Sequence, residues 1–322
     1  MRSMLIWQKA RVIHIEPVAE DVRAVTFAIE GEVPAYDPGS HSQIRVKIGA
    51  LDAIRTYTVV PSEPGTLRIA VKRNPNSRGG SAYIWSLAIG DETEMTIPEN
   101  RFELSWRASH YLLIAGGIGV TPIYGMARVL AERGQSLRMI YGAAQRSQMA
   151  FADELAALLG DRIEFFVQSE GRAFDLAAEI AALPTDGEAY VCGPLGLLEA
   201  VKAAWAEAGR VPSRLRYEVF GDSGKFSELP FEVEIRTTGQ VVGVRSDQSL
   251  LEALLQSGVD MVFDCQRGEC GLCAVDIVET QAPVDHRDVF FSGSEKQENA
   301  RMCACVSRLV GGRAVIDTGY RP

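Results

Sequence analysis

Apolar and polar residues alternate in short runs over the first third of the chain. Val12–Ile15 and Val22–Ala28 read as two β-strands separated by a Pro-containing turn. "SQIRVKI", "IRTYTVV" and "TLRIAVKR" follow as further strands, broken at "DPGS", "GALD" and "SEPG", which carry turn chemistry. One helix is expected at Ser81–Ala88, capped by a small polar residue after two glycines. Short, evenly spaced strands with one helix predict a small closed barrel.

The pattern changes near Ser109. "HYLLIAGGIGVTPIYGMARVLAERG" is an apolar strand, a Gly-rich turn and an amphipathic helix. "LRMIYGA", "IEFFVQS" and "AYVCGP" read as further strands, with helices at "AFADELAALLG" and "LGLLEAVKAAWAEAG". Strands alternating with helices predict a doubly wound α/β sheet. Gly221–Leu229, "GDSGKFSEL", is polar and fits a linker. Beyond it, "FEVEIRTTGQVVGV" reads as a hairpin turning at Thr238–Gly239, and "SLLEALLQSG" as a helix with a serine or aspartate cap and a glycine stop. The expected fold class is therefore multi-domain. It comprises a β-barrel over 1–106, an α/β domain over 107–221, a linker over 222–230 and a smaller α+β domain over 231–322.

Composition narrows the function classes. The 322 residues are 47% hydrophobic and 23% charged, as in ordinary globular domains. A formal charge of −9 argues against nonspecific nucleic-acid binding, which needs clustered cations. The N-terminal segment has no long apolar stretch, Met4–Trp7 being its longest apolar piece, and no later run reaches a membrane span. A cytoplasmic location without membrane or nucleic-acid partners is expected. In a reducing compartment, five of six cysteines within the last 60 residues point to metal rather than disulfides.

Three of those cysteines lie in "CQRGECGLC". Cys265, Cys270 and Cys273 have the C-x₄-C-x₂-C spacing of plant-type [2Fe–2S] ferredoxins. Four thiolates must wrap a diiron core, and Gly268 and Gly271 permit the left-handed turns that aim backbone N–H groups at its sulfides. Zinc modules usually present two C-x₂-C arms, and one is present here. Cys303 and Cys305 compete for the fourth position. If "RMCACVS" is a strand, both point to one face, and spacing does not choose between them.

Upstream segments supply candidate flavin and dinucleotide chemistry. In "RTYT", Arg55 can pair a phosphate, Tyr57 can pack on a flat ring and Thr58 can donate near its N5. Gly79, Gly80 and Ser81 precede a helix, where backbone N–H groups favour an anion, with Arg78 and Lys72 adding positive charge. "AGGIGVTP" (Ala115–Pro122) lets a pyrophosphate approach the backbone, and "CGP" (Cys192–Pro194) ends a later strand, where such sheets bind ligands. The histidines His14, His41, His110 and His286 are scattered and suggest neither haem nor mononuclear iron ligation.

"RTYT", "AVKRNPNSRGGS", "AGGIGVTP", "VCGP", "YEVFG", "CQRGECGLC", "DHRD" and "CVSR" occur in one order. In that combination the sequence resembles the phthalate dioxygenase reductase family, within the ferredoxin–NADP⁺ reductase superfamily, over nearly its whole length. The resemblance implies a flavin barrel, a nicotinamide domain and a C-terminal β-grasp ferredoxin. Relatives with this domain order use FMN. Arg55, Thr56, Tyr57 and Thr58 would hold the flavin, with Lys72, Gly80 and Ser81 toward its phosphate. Gly116, Gly117, Gly119, Thr121, Cys192, Gly193 and Pro194 would line the nicotinamide nucleotide site, and Phe220 would cover the flavin face that the nicotinamide approaches. Thr58, Phe220 and Cys192 would act at the reacting atoms. The family motif makes Cys305 the fourth cluster ligand beside Cys265, Cys270 and Cys273, with Cys303 a neighbour. The implied activity carries a hydride from NADH to FMN and then single electrons through the cluster to a separate oxygenase with a Rieske or other non-haem iron centre. Family usage favours NADH, while Arg146, in a turn lacking a carboxylate, leaves NADPH open. An FAD-containing reductase or an electron carrier that oxidises no nicotinamide are the alternatives. The stretch "GGRAVIDTGYRP" extends past the usual family ending.

Overall fold

The structure, a computed structural model, describes residues 6–49, 51–74, 79–220 and 226–319. Arg78 and residues 221–225 of the expected linker lie outside them. The described chain forms two compact units, one ending at Glu218 and one beginning at Val219.

The first unit opens with β1 (Trp7–Ala19), β2 (Val22–Ile29), β3 (Ser40–Ile48), β4 (Leu51–Val60), β5 (Thr66–Lys72), α1 (Gly80–Ser86), β6 (Glu92–Thr96) and β7 (Glu99–Asn100). The strand order is β4-β5-β2-β1-β6-β3-β7, and β3 also pairs with β4. That extra pairing closes the sheet into the expected barrel and removes its free edges. Phe27, Ile44, Leu67, Ile69, Ile84 and Met95 fill the interior. Two local expectations are corrected. Pro17 lies inside β1 rather than in a turn, at a register shift, and the chain reverses at Glu20–Asp21. A bulge tolerates the missing proline N–H. The helix α1 has no side-chain cap: it starts from Gly79 in the left-handed region (φ 81°), and Ser81 sits inside it. At its other end Arg23 donates to the carbonyls of Ile84 and Leu87. Strand β6 escapes the sequence pattern because Glu92, Thr93 and Glu94 make its first three residues polar, and only Met95 is apolar.

The same unit continues with β8 (His110–Gly116), α2 (Val120–Glu132), β9 (Ser136–Ala143), α3 (Ala152–Leu159), β10 (Ile163–Val167), α4 (Leu176–Ala182), β11 (Glu188–Gly193), α5 (Leu195–Glu207) and β12 (Leu215–Val219). The sheet order is β10-β9-β8-β11-β12. Strands β9, β8 and β11 run parallel beside one another, so the order reverses between β8 and β11. Such a reversal opens a crevice beyond the strands' carboxyl ends.

Two backbones nearly touch there. A Cβ on Gly119 would lie 2.3 Å from the Cys192 carbonyl oxygen and 2.7 Å from the Gly193 nitrogen. One on Gly193 would lie 3.0 Å from the Gly116 Cα. Glycine is thus required by packing at three positions of the two motifs. Gly117 differs, having φ 53° and open space where a Cβ would sit.

The second unit contains β13 (Phe231–Ile235), β14 (Val241–Val244), α6 (Leu250–Gln256), β15 (Ala274–Thr280), β16 (Val284–Asp285), α7 (Gly293–Glu298), β17 (Arg301–Cys303), β18 (Arg308–Leu309) and β19 (Arg313–Asp317). Its main sheet has the order β14-β13-β19-β15-β17, with β13 and β19 parallel. Leu250, Leu251 and Leu254 of α6 share a core with Val233, Ile235, Val244, Met302 and Ile316 of the sheet. A helix on one face of a mixed sheet is the expected α+β arrangement. Ser249 and Glu252 form a reciprocal capping box at the start of α6. The stretch beginning at Gly311 is no appendage: β19 is the strand between β13 and β15.

We expect Gly119→Ala to lower the melting temperature of the first unit by several degrees, since overpacking against backbone costs about 1–3 kcal/mol. Gly117→Ala should cost only the left-handed backbone penalty of about 1–2 kcal/mol. Differential scanning calorimetry of both variants checks the ordering.

Candidate functional site

On β4, Arg55 and Tyr57 share a face, and Thr58 is buried opposite His41 of β3. The Arg55 side chain lies across the start of α1: a Cβ on Gly80 would be 2.7 Å from Arg55 Cγ and 3.0 Å from its Nε. The Ser81 Oγ beside it is buried and has no hydrogen-bond partner among the described residues. A buried hydroxyl without a partner costs free energy, and an anionic oxygen beside Arg55 would satisfy it. The residues present thus fit a phosphate-bearing flavin. Lys72, at the end of β5, is held by Asp21 at 3.2 Å.

Sequence reading passed over one feature of this region. Glu218, near the end of β12, is buried with its Oε1 3.8 Å from the buried His41 Nδ1. This places a carboxylate against the cross-strand neighbour of Thr58. The available signal was a lone glutamate among apolar residues in "YEVF". Phe220 follows β12 directly and belongs to the second unit.

In the α/β crevice, Cys192 pairs in register with Ala115 and is fully buried beneath Gly119. Thr121 donates its hydroxyl to the Ile118 carbonyl at 3.0 Å, fixing the first turn of α2. Pro194 precedes α5. The open position is Gly117, whose backbone carbonyl also accepts from the Tyr141 hydroxyl at 3.3 Å. Burial pushes the Tyr141 phenol well above its ordinary range, so it stays a donor. These elements bring Gly116, Gly117, Gly119, Thr121, Cys192, Gly193 and Pro194 to one edge of the sheet.

The cysteine loop turns where the sequence has glycine. Gly268 has φ 75° and Gly271 φ 71°, and Gln266 joins them with φ 53°. A Cβ on Gly268 would meet Val306 at 2.6 Å and Asp288 at 2.9 Å; one on Gly271 would lie 2.3 Å from the Phe290 ring. The "DHRD" stretch braces this loop from behind. Val289 N donates to the Gly268 carbonyl at 3.0 Å, and buried Asp288 accepts from Phe291 N at 2.9 Å and Ser307 Oγ at 3.1 Å. Arg287 bridges Asp285 at 2.8 Å and Glu228 at 2.6 Å.

The thiols adjoin in groups. Among the described residues no three His, Cys, Asp or Glu side chains surround a point that a single metal ion could fill. Cys270 is hydrogen-bonded to Cys265, and Cys273 to both Cys303 and Cys305. Hydrogen bonds from those two thiols pull the Cys273 thiol down to about 3, while donation to Cys273, then burial, then the repulsion of neighbouring charges push Cys303 and Cys305 up. The positive charge of a diiron core would relieve that repulsion, so this donor set fits a [2Fe–2S] cluster. Strand β17 ends at Cys303, and Cys305 lies in the turn that follows, where Val306 N and Ser307 N both return to the Cys303 carbonyl. The two cysteines therefore do not lie on one strand, which is where a shared face was expected. Cys305 also feels the charge of Cys265 and a backbone donor at Gly268, whereas Cys303 feels Asp288.

Comparison with known proteins matches each region to a family. An oxidoreductase FAD-binding domain covers residues 9–104, an oxidoreductase NAD-binding domain 113–203 and a 2Fe-2S iron-sulfur cluster binding domain 233–310. A putative toluene-4-sulfonate monooxygenase system reductase subunit of Comamonas testosteroni is 34% identical, covering 95% of this chain and 97% of its own. The heme-dependent oxidative N-demethylase beta subunit of Ectopseudomonas mendocina is 32% identical over 98% of this chain and 100% of its own. The solved structure of phthalate dioxygenase reductase, described as a modular structure for electron transfer from pyridine nucleotides to [2Fe–2S], superposes with a TM-score of 0.80 at 28% identity, covering 97% of this chain and 98% of that one. With a closed barrel, a doubly wound sheet and a cysteine-bearing α+β domain in that order, the chain belongs to the phthalate dioxygenase reductase family of flavin-, nicotinamide- and [2Fe–2S]-dependent oxidoreductases.

Proposed function

We propose that this protein is the reductase component of a multicomponent oxygenase or demethylase, taking electrons from NADH through FMN and its [2Fe–2S] cluster to a separate oxygenase. The observation that carries this reading is the presence, in one chain, of the three-cysteine loop facing Cys303 and Cys305 and a dinucleotide crevice of glycines and Cys192. The domains are assigned as 1–106 for flavin, 107–221 for nicotinamide, 222–230 as linker and 231–322 as ferredoxin, in a cytoplasmic protein. Among the described residues no helix is long and apolar enough to cross a membrane.

When bound, the flavin supplies hydride acceptance and one-electron release, and the cluster supplies single-electron transfer. The residues divide the remaining work. Arg55 and Ser81, with Gly80 allowing close approach and Lys72 nearby, bind the flavin phosphate. The order of the three domains supports FMN, whose phosphate the Arg55–Gly80–Ser81 cradle would receive. Thr56, Tyr57 and Thr58 orient the ring, Thr58 donating at the reacting edge. Phe220, by resemblance to the family, would act at the ring face that the nicotinamide approaches. Gly116, Gly117, Gly119, Thr121, Gly193 and Pro194 shape the dinucleotide crevice, and Cys192 lines it toward the nicotinamide. Cys265, Cys270, Cys273 and Cys305 ligate the iron. A Rieske or other non-haem iron centre is the preferred acceptor. The named haem-dependent relative supports a haem acceptor as a second reading.

Cys305→Ser should abolish the cluster absorbance and iron content yet retain flavin bleaching by NADH in stopped flow. Cys303→Ser should retain both, and cluster loss in that variant instead would overturn the ligand choice. Arg55→Ala should weaken flavin retention about 10- to 100-fold, as expected for loss of a charge-assisted hydrogen bond. Chromatography of flavin released from the native protein should give FMN; FAD would contradict the cofactor assignment.

A further inference from the structure

One charged pair stands at the carboxyl ends of the α/β strands, outside the core and outside the crevice residues assigned above. Strand β9 ends at Ala143, and Arg146 opens a short 3₁₀ turn just beyond it. Strand β10 ends at Val167 and is followed by a second 3₁₀ turn, Gln168–Glu170. Ser169 N donates to the Ala144 carbonyl at 3.0 Å and ties the two turns together. Across this seam Arg146 Nε donates to Glu170 Oε1 at 2.9 Å, and Nη2 donates to Oε2 at 2.7 Å. The guanidinium fork meets the carboxylate edge-on, the strongest geometry such a pair can adopt. The next cation, Arg172, is engaged elsewhere, by Glu164 at 2.5 Å and the Phe165 carbonyl at 2.8 Å.

In a doubly wound sheet the adenosine ribose is read near the end of the second strand. A carboxylate there accepts the 2′-hydroxyl, and an arginine accommodates a 2′-phosphate. The residues closing β9 offer no carboxylate, and the first charged group is Arg146. Its guanidinium is occupied by Glu170 from the neighbouring strand. A 2′-phosphate reaching this site must break a bidentate pair and then sit beside a carboxylate of like charge. A 2′-hydroxyl needs neither change. Exposed pairs contribute little to folding stability, so the effect belongs to ligand choice.

We propose that Glu170 is a specificity-determining residue: by occupying Arg146 it makes the site select a dinucleotide without a 2′-phosphate. This rests on the reading of the α/β domain as the nicotinamide site. It deepens that reading by assigning the discrimination to a pair that bridges two strands. Removing the Glu170 charge would leave Arg146 free to meet a 2′-phosphate.

The test uses the holoprotein, with NADH and NADPH oxidation measured against ferricyanide and with 5′-AMP and 2′,5′-ADP as binding probes. In Glu170→Gln the NADPH-to-NADH ratio of kcat/KM should rise about tenfold, the scale of one new charge-assisted contact. Binding of 2′,5′-ADP should tighten in parallel, while 5′-AMP affinity stays within about twofold, since it lacks the phosphate that Arg146 would meet. The double variant Arg146→Gln/Glu170→Gln should lose the gain. The gain should also shrink as salt is raised, because the pair is exposed. An unchanged ratio in Glu170→Gln, or a gain that survives loss of Arg146, would overturn the proposal while leaving the nicotinamide site intact. Failure of wild type to oxidise either nucleotide or bind either probe would instead overturn the underlying reading of the domain.

Discussion

The close approach of two backbones beyond β8 and β11 is the constraint on which the first unit depends. Gly119 lies so near the Cys192 carbonyl that any side chain there must displace main chain. That contact fixes where α2 begins and where β11 turns into α5. The same helix carries the barrel: Gly125 lies 3.3 Å, in Cβ terms, from Pro38, and a Cβ on Gly39 would be 3.2 Å from Met126. One packed helix therefore sets both the edge of the dinucleotide crevice and the seat of the barrel. The glycine turn beyond β8 and the barrel wall at Pro38–Gly39 are thus packed against the same helix.

The cluster loop applies the same principle on a smaller scale. Gly268 and Gly271 are needed twice, for their left-handed backbone and for the side chains of Val306 and Phe290 that press against them. The loop is then held from outside by Asp288, whose carboxylate is fully satisfied by Phe291 N and Ser307 Oγ. The His286 ring, then Phe291 N, the Lys296 charge and Ser307 Oγ keep the Asp288 carboxyl below its ordinary range in spite of burial. A loop that presents three cysteines at fixed separation gains from such bracing, because outer contacts orient metal ligands.

Much of this was legible in the sequence, for physical reasons. Barrel strands such as Ser40–Ile48 and the β8–α2 unit show because burial on one face imposes a clear period. Strand β6 was hidden because its charged residues leave little alternation, and β19 because it follows a double glycine and looks like a tail. The C-x₄-C-x₂-C spacing announced the cluster, since its geometry is local. The competition between Cys303 and Cys305 was less legible, because it turns on where a three-residue strand ends. Likewise Glu218 and Glu170 acquire meaning only from partners 177 and 24 positions away, His41 and Arg146, and no local pattern marks such pairs.

The central claim is that one polypeptide passes electrons from a reduced nicotinamide through a flavin to an iron–sulfur cluster. An anaerobic NADH titration of the purified protein, followed by flavin absorbance and by electron paramagnetic resonance of the cluster, tests it most directly. NADH should bleach the flavin, and the reduced-cluster signal should then develop within the same molecule. A protein whose flavin stays oxidised on NADH addition, or whose cluster remains silent after the flavin is fully reduced, would contradict it.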